Sequence, residues 1–435
     1  MYKVSLLALM TFLGGDPQPT QQWPHWRGPL ATGAAPNADP PTIWDEKTNV
    51  RWKVAVPGRG SSTPVIWGDR VFVCTAVDTG TVAKAADIPK PDPKLEIKTK
   101  PPNTYHEFIL LCYDRNTGKV LWQKTAARRV PHEGHHPSHS YAAGSPTTDG
   151  KHVWVSFGSY GVYCFTVEGK LVWERDLGLI HSRLGWGEAS TPVLHKDALI
   201  LNWDQEVGSR LIVLEAASGK TRWEVARDEP TTWNTPLVVE HKGVTQVIIN
   251  GTNKARSYDL ATQKVLWECG GQTLNSIPSP VAADGVAYVM SGYKGALAVA
   301  VPLDARGDLT GSDKLLWKHN RGTPYCPSPL LVDGKLYFTQ ANDNLLTCLD
   351  AKTGKVLIDK VRLDSVTSFY ASPVAAGGRV YLVDREGVTL VLRQATKVEV
   401  LATNKLDDPI DASPAVVGRQ LFLRGHNWLY CIEAK

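Results

Sequence analysis

The densest run of chemically capable side chains in this chain is His132-Glu133-Gly134-His135-His136-Pro137-Ser138-His139. Imidazole nitrogens and a carboxylate suit Zn, Cu, Fe or Ni, so His132, Glu133, His135, His136 and His139 form a candidate transition-metal set. The spacing is not that of a helical zinc protease. Gly134 follows the acid directly and Pro137 follows His136, and both residues oppose the helix that would align such ligands. The competing reading is a solvated loop whose imidazoles bond to backbone or water. No second ligand cluster accompanies the run, and His106 and His181 are only distant partners. A metal-dependent hydrolase therefore ranks last among the functions considered. No nucleophile elbow, P-loop or dinucleotide fingerprint is present either.

A second group is scattered: Tyr141, Arg183, Trp186, Glu188, Trp203, Asp204, Trp233, Asn234, Arg256, Tyr293, Lys294, Tyr325, Tyr370, Arg385, Asp411 and His426. Aromatic, acidic and basic groups converging on one mouth make a binding funnel. Loop solubility and loop packing would explain the same composition without any ligand. Whether these residues meet depends on the elements that carry them, and those elements repeat.

A small residue followed by Pro and an apolar strand recurs at Pro64, Pro146, Pro192, Pro236, Pro280, Pro329, Pro373 and Pro414. The spacings are 82, 46, 44, 44, 49, 44 and 41 residues. Each unit continues with a second strand, such as Lys335-Leu336-Tyr337-Phe338, then a third ending near an acid, a turn and a fourth. Asp114-Arg115-Asn116-Thr117-Gly118-Lys119 and Asp350-Ala351-Lys352-Thr353-Gly354-Lys355 show the turn most clearly. Asp and Thr cap it through side-chain hydrogen bonds, and Gly supplies positive φ. Four strands per unit of this length predict the blade of a β-propeller. Trp122, Trp173, Trp223, Trp267 and Trp317 end the fourth strands and are expected to bury between blades. Ile358 and Val400 replace them in blades six and seven, where docking should be weaker.

The chain stops after Leu429-Tyr430-Cys431-Ile432, just before an eighth fourth strand, whereas Asn49-Val50-Arg51-Trp52-Lys53 carries that strand's pattern near the start. The expected fold is therefore all-β: one closed eight-bladed propeller over 49–435, with the N-terminal strand completing the last blade. Closure removes two open sheet edges. The long first spacing divides into a Lys/Pro-rich insertion at 78–105, expected to be extended and mobile, and the His-rich loop at 123–145. In this fold the loops after the fourth strands and between second and third strands share one face, and the scattered group lies in them.

Composition agrees with many short strands. Of 435 residues 43% are hydrophobic and 21% charged, with 15 Trp, 37 Gly and 29 Pro against 3 Met. Mean hydropathy of −0.21 excludes a disordered chain and a multi-span membrane protein. A net charge of +5, from 48 bases against 43 acids, is too balanced to imply nucleic acid. Met1-Tyr2-Lys3, the apolar run Val4 to Leu13 and the small residues after it read as an export signal over 1–15, with an extension over 16–48. The apolar run is too short for a permanent span, so the mature chain is expected in the periplasm or outside the cell. Cys112, Cys164, Cys348 and Cys431 occupy one place in successive repeats and act as small buried residues, leaving no disulfide framework.

The Asp-x-x-Thr-Gly-Lys-x-x-Trp repeat resembles the quinoprotein (pyrroloquinoline quinone, PQQ) repeat. PQQ-dependent alcohol dehydrogenases and the outer-membrane assembly factor BamB share it. Trp23-Pro24-His25-Trp26-Arg27-Gly28-Pro29, the His-Glu-Gly-His-His run and Asp228-Glu229-Pro230-Thr231-Thr232-Trp233 are more similar still to exported PQQ-binding-like propellers of planctomycete-type bacteria. The resemblance implies a periplasmic or secreted propeller, and PQQ with Ca²⁺ as its cofactor if it is an enzyme. Those dehydrogenases carry adjacent cysteines and a Glu, Asn and Asp set around calcium. None of the 7 cysteines here is adjacent to another, and no Cys follows the apolar run to take a lipid. The first expectation is thus a non-catalytic, monomeric scaffold binding a protein, peptide or glycan through the loop face. The alternative is a PQQ-dependent oxidoreductase.

Overall fold

Proline lacks an amide hydrogen and fixes φ, so each hydroxyl-Pro step starts an inner strand from a defined direction. The computed structural model describes residues 22–90 and 92–434; the expected signal, 1–15, lies outside them. Blade 1 runs Val65–Trp67, Arg70–Val82, Thr104–Asp114 and Val120–Arg129, inner to outer. Blades 2 to 7 repeat this antiparallel order over 147–175, 193–226, 237–270, 281–319, 330–362 and 374–405. Blade 8 takes Ala415–Val417, Gln420–Arg424 and Trp428–Ile432 from the end of the chain and Val50–Ala55 from its start. Lys53 pairs with Tyr430 and Val54 with Leu429. Among the described residues the only helical turns are Ala85–Asp87 and Gly158–Tyr160.

Two repeated contacts explain the repeated residues. The first is the tryptophan interlock. Trp52, Trp122, Trp173 and Trp317 each donate Nε1–H to a turn carbonyl of the next blade: Arg115 at 2.8 Å, Val167 at 3.0 Å, Ala216 at 2.9 Å and Ala351 at 2.8 Å. The turn glycine lies under the indole. A Cβ on Gly118, with φ +73°, would sit 2.8 Å from the Trp52 ring, so both conformation and space demand glycine. Blade 6 substitutes a buried Ile358, and in blade 7 Val400 is exposed. The expected weakness at blade 7 is repaired from elsewhere: Trp44 stacks on Tyr381, at the strand position where Trp52 meets Phe422 and Trp317 meets Tyr288. Asn404 holds it by accepting from the Trp44 amide at 2.9 Å and donating to the Thr42 carbonyl at 3.0 Å.

The second contact is a belt formed by the residue before each proline. The amides of Thr63, Ser145, Thr191, Thr235, Ser279, Ser328 and Ser372 donate to the hydroxyls of Ser145, Thr191, Thr235, Ser279, Ser328, Ser372 and Ser413 in turn, at 2.8–3.3 Å. These bonds satisfy buried donors at the inner ends of the blades. Thr63 Oγ1, where the belt ends before blade 1, is buried without a partner.

From Gln22 onward the N-terminal extension is built into the ring. Gln22–Trp23 pairs with the inner strand of blade 1, and the Pro24 carbonyl accepts from the Thr148 amide of blade 2 at 2.9 Å. Arg27 donates to the carbonyls of Thr32 at 3.2 Å, Pro329 at 3.0 Å and Pro373 at 3.0 Å. Ala34–Ala35 then pairs in parallel with the inner strand of blade 7. Because inner strands line the central channel, residues 22–38 form a plug within it.

Two expectations about the first blade change. The outer strand runs to Arg129, paired with His106, so the His-rich loop begins at 130 and not 123. The 78–105 insertion is extended but is not a free arm: Lys98 donates its amide to the Leu184 carbonyl at 3.0 Å, and Thr99 Oγ1 donates to the Gly185 carbonyl at 2.6 Å. No helix among the described residues is long and apolar enough to cross a membrane.

Candidate functional site

The loops between second and third strands and those following the outer strands meet at one face around a cavity of about 400 Å³. Its walls are aromatic: Trp186, Trp233, Tyr293, Tyr325 and Tyr370, with Trp26 of the plug also facing in. Most of these rings are anchored. Trp233 Nε1 donates to the Gly187 carbonyl at 2.7 Å, Tyr293 stacks on Tyr325 at 4.6 Å, and the Arg385 guanidinium lies 4.0 Å from the Tyr370 centroid. Ser138 Oγ and Tyr370 Oη are 3.1 Å apart, linking the loop of blade 1 to that of blade 6.

Asp411 also lines the cavity. It accepts from Arg385 Nε at 2.7 Å and pairs with His426 Nε2 at 2.8 Å. Burial pushes its carboxyl up, but the bonds from His426 and Arg385 prevail and hold it below the usual range. A water-sized pocket of about 40 Å³ lies alongside, lined by Tyr141, Glu188, Trp203 and Asp204 among others. Burial lifts the Glu188 carboxyl to about 8, against donation from the Ser159 amide at 2.8 Å and hydroxyl at 2.6 Å. Asp204 is committed to Arg227, at 2.7 Å from Nε, in a fully buried pair.

The sequence-selected group therefore divides. Trp186, Trp233, Tyr293, Tyr325, Tyr370 and Asp411 share the large cavity, and Arg385 and His426 orient Asp411. Asn234 is buried and bonded to the Asn250 carbonyl, while Arg256 pairs with Asp228, Glu229 and Glu268. Lys294 is exposed over Tyr293, and the half-buried Arg183 lines neither pocket. Trp26 and Ser138 were missed as site residues. The unpaired Trp-Pro-His-Trp motif outside the repeat was a signal for the first, and nothing in the sequence marked the second.

The histidine run does not converge on one point. His136 and His139 line the large cavity, His135 Nδ1 bonds to the His136 carbonyl at 2.8 Å, and His132 turns to the small pocket. His132, Glu133 and His181 come together, with ligand atoms within 4.8 Å of one another. Their atoms are already engaged. His132 contacts Tyr160 Oη at 3.1 Å and the Ile180 carbonyl at 2.9 Å, and Glu133 accepts from the Ser182 amide and hydroxyl and from His181. Burial lowers His132 and takes His139 down to about 4, so both rings are neutral at neutral pH.

PQQ is a tricarboxylate quinone. Among the described residues lining the large cavity none is Lys or Arg, the acid present is Asp411, and Cys326 stands without an adjacent cysteine. This donor set does not fit that cofactor.

A family model described as outer membrane protein assembly factor BamB matches residues 106–360 and 209–435. No curated protein sequence matches the chain. BamB from Moraxella catarrhalis superposes with a TM-score of 0.52 at 14% identity, over 83% of this chain and 98% of that one. Quinohemoprotein alcohol dehydrogenase from Comamonas testosteroni gives 0.63 at 10% identity, over 96% and 81%. The computationally designed Ika8 protein gives 0.53 at 10% identity, over 87% and 100%. At such identities the likeness is one of fold.

Proposed function

The chain belongs to the family described as outer membrane protein assembly factor BamB, and we propose that it is an exported, non-catalytic propeller scaffold that receives a protein, peptide or glycan partner in its loop-face cavity. The observation that carries this reading is a preformed aromatic cavity whose acid and imidazole groups are already committed. Asp411 is held by Arg385 and His426, His139 donates to the Glu188 carbonyl, and His136 pairs with Ser138. Such groups orient a ligand and are poorly placed to exchange protons with it.

The test is a photo-crosslinking residue at Lys294, on the loop-face rim, against one at Lys355 in a turn of the opposite face. Adducts with envelope components are expected from the first position only. Equal labelling from Lys355 would refute the assignment of the face. Retention of quinone absorbance after incubation with PQQ and Ca²⁺ and dialysis, together with dye-linked alcohol oxidation, would replace it with the oxidoreductase reading.

A further inference from the structure

Resting on the loop face as a binding surface, we infer that the ligand of the large cavity is an uncharged sugar ring, alone or at the end of a glycan. The argument runs on shape, hydrogen bonding and charge. Trp186, Trp233 and Tyr325 border one space with Trp26, an apolar aromatic lining against which a flat ring can stack. A pyranose presents just such a ligand face, with axial C–H groups above and below the ring and hydroxyls around its rim. The indole of Trp233 and the stacked Tyr293–Tyr325 pair are fixed before binding, so little side-chain entropy is lost when a ring stacks on them.

The polar groups match the rim. Thr191, Thr235 and Ser413 line the cavity, and the hydroxyl of each already accepts a backbone amide from the neighbouring blade. A hydroxyl that accepts from an amide still has its own hydrogen to donate. These positions therefore offer donors, while Asp411 keeps lone pairs for acceptance beyond its bonds to Arg385 and His426. A polyhydroxyl ligand satisfies both kinds at once.

Charge narrows the class. No Lys or Arg lines the cavity among the described residues, so a phosphate or carboxylate would enter without a counter-ion. Asp411 is already balanced by Arg385, which weakens its pull on an ammonium ligand. At blades 1 and 7 peptide capture by strand addition is also obstructed, because the plug occupies their inner strand edges.

The experiment titrates the full chain with the neutral trisaccharides of glucose, xylose and N-acetylglucosamine, and with trigalacturonate, by calorimetry and tryptophan fluorescence. At least one neutral trisaccharide should bind and shift the fluorescence, and trigalacturonate should not. Trp233→Ala and Asp411→Asn should each weaken binding at least tenfold. Asp411→Asn is nearly isosteric, so it serves where the Trp233 variant fails to fold. No response to any neutral sugar at millimolar concentration, or unchanged affinity in a folded variant, overturns the inference. If Lys294 still crosslinks a protein partner in that event, the sugar assignment falls while the scaffold reading stands.

Discussion

Ring closure is tested most sharply by comparing Trp52→Ala with Trp173→Ala. Both indoles are nearly buried, at 8% and 9% exposure, and both lie on a turn glycine of the next blade. Both donate Nε1–H to a carbonyl, at 2.8 Å to Arg115 and 2.9 Å to Ala216. The direct loss should therefore be the same, about 3–5 kcal/mol for truncating a buried tryptophan. What differs is how each strand is held. Leu171–Arg175 is tethered to its neighbour by a four-residue turn, so separation is opposed by cheap reclosure. Val50–Ala55 is held against Trp428–Ile432 by non-covalent contacts alone. Removing about 4 kcal/mol from the second arrangement should raise the population of the opened seam roughly a thousandfold. Hydrogen exchange read by mass spectrometry reports this directly. In Trp52→Ala, peptides covering 50–55 and 428–432 should exchange well ahead of global unfolding. In Trp173→Ala, peptides over 162–175 should exchange much closer to the global rate. Equal local exchange at both sites would refute the claim that the seam is held by non-covalent contacts alone.

The hydroxyl belt gives a paired prediction. Ser372→Ala leaves the Ser328 amide without its 2.9 Å acceptor and should cost about 1–3 kcal/mol in chemical denaturation, whereas Thr63→Val removes a hydroxyl that has no partner and should be neutral or mildly stabilising. Glu188 gives a pH dependence. Its folded pKa of about 8 stands above the ordinary carboxylate value of 4.5, so the folded state binds a proton that the unfolded state has released between those values. Its contribution to stability is full below about 4.5 and is lost as pH rises through 8. Glu188→Gln should flatten that part of the melting temperature against pH, and an unchanged slope would contradict the assignment.

Much of the architecture was legible because it rests on short-range chemistry repeated many times. A hydroxyl before proline, an Asp-capped Thr-Gly turn and an indole at fixed distance each act on neighbours a few residues or one blade away, so their recurrence is a record of the contact. The incomplete blade at one end and the spare strand around Trp52 at the other predicted the seam. The site was only half legible. Loop positions were identifiable, but whether a side chain faces the cavity depends on loop paths that follow no period. Trp186 and Asp411 turn inward, while Arg256 turns to Glu229 and Glu268 and Asn234 turns to Asn250. The histidine run shows the same limit: eight adjacent residues without a helix share no direction, and their rings part to three surroundings.

Local composition and periodicity alone therefore determined the all-β class, the eight blades and the circular join, because those features are written in contacts that recur. Tertiary structure decided what occupies the centre. The segment from Gln22 to Ala38 contains only isolated two-residue strands and a buried Arg27, two of whose three acceptors lie more than 300 residues away at Pro329 and Pro373. Such a segment has no periodic signal of its own. Its path is dictated by unpaired strand edges and carbonyls that exist only once the ring has formed, and by that path Trp26 reaches the cavity.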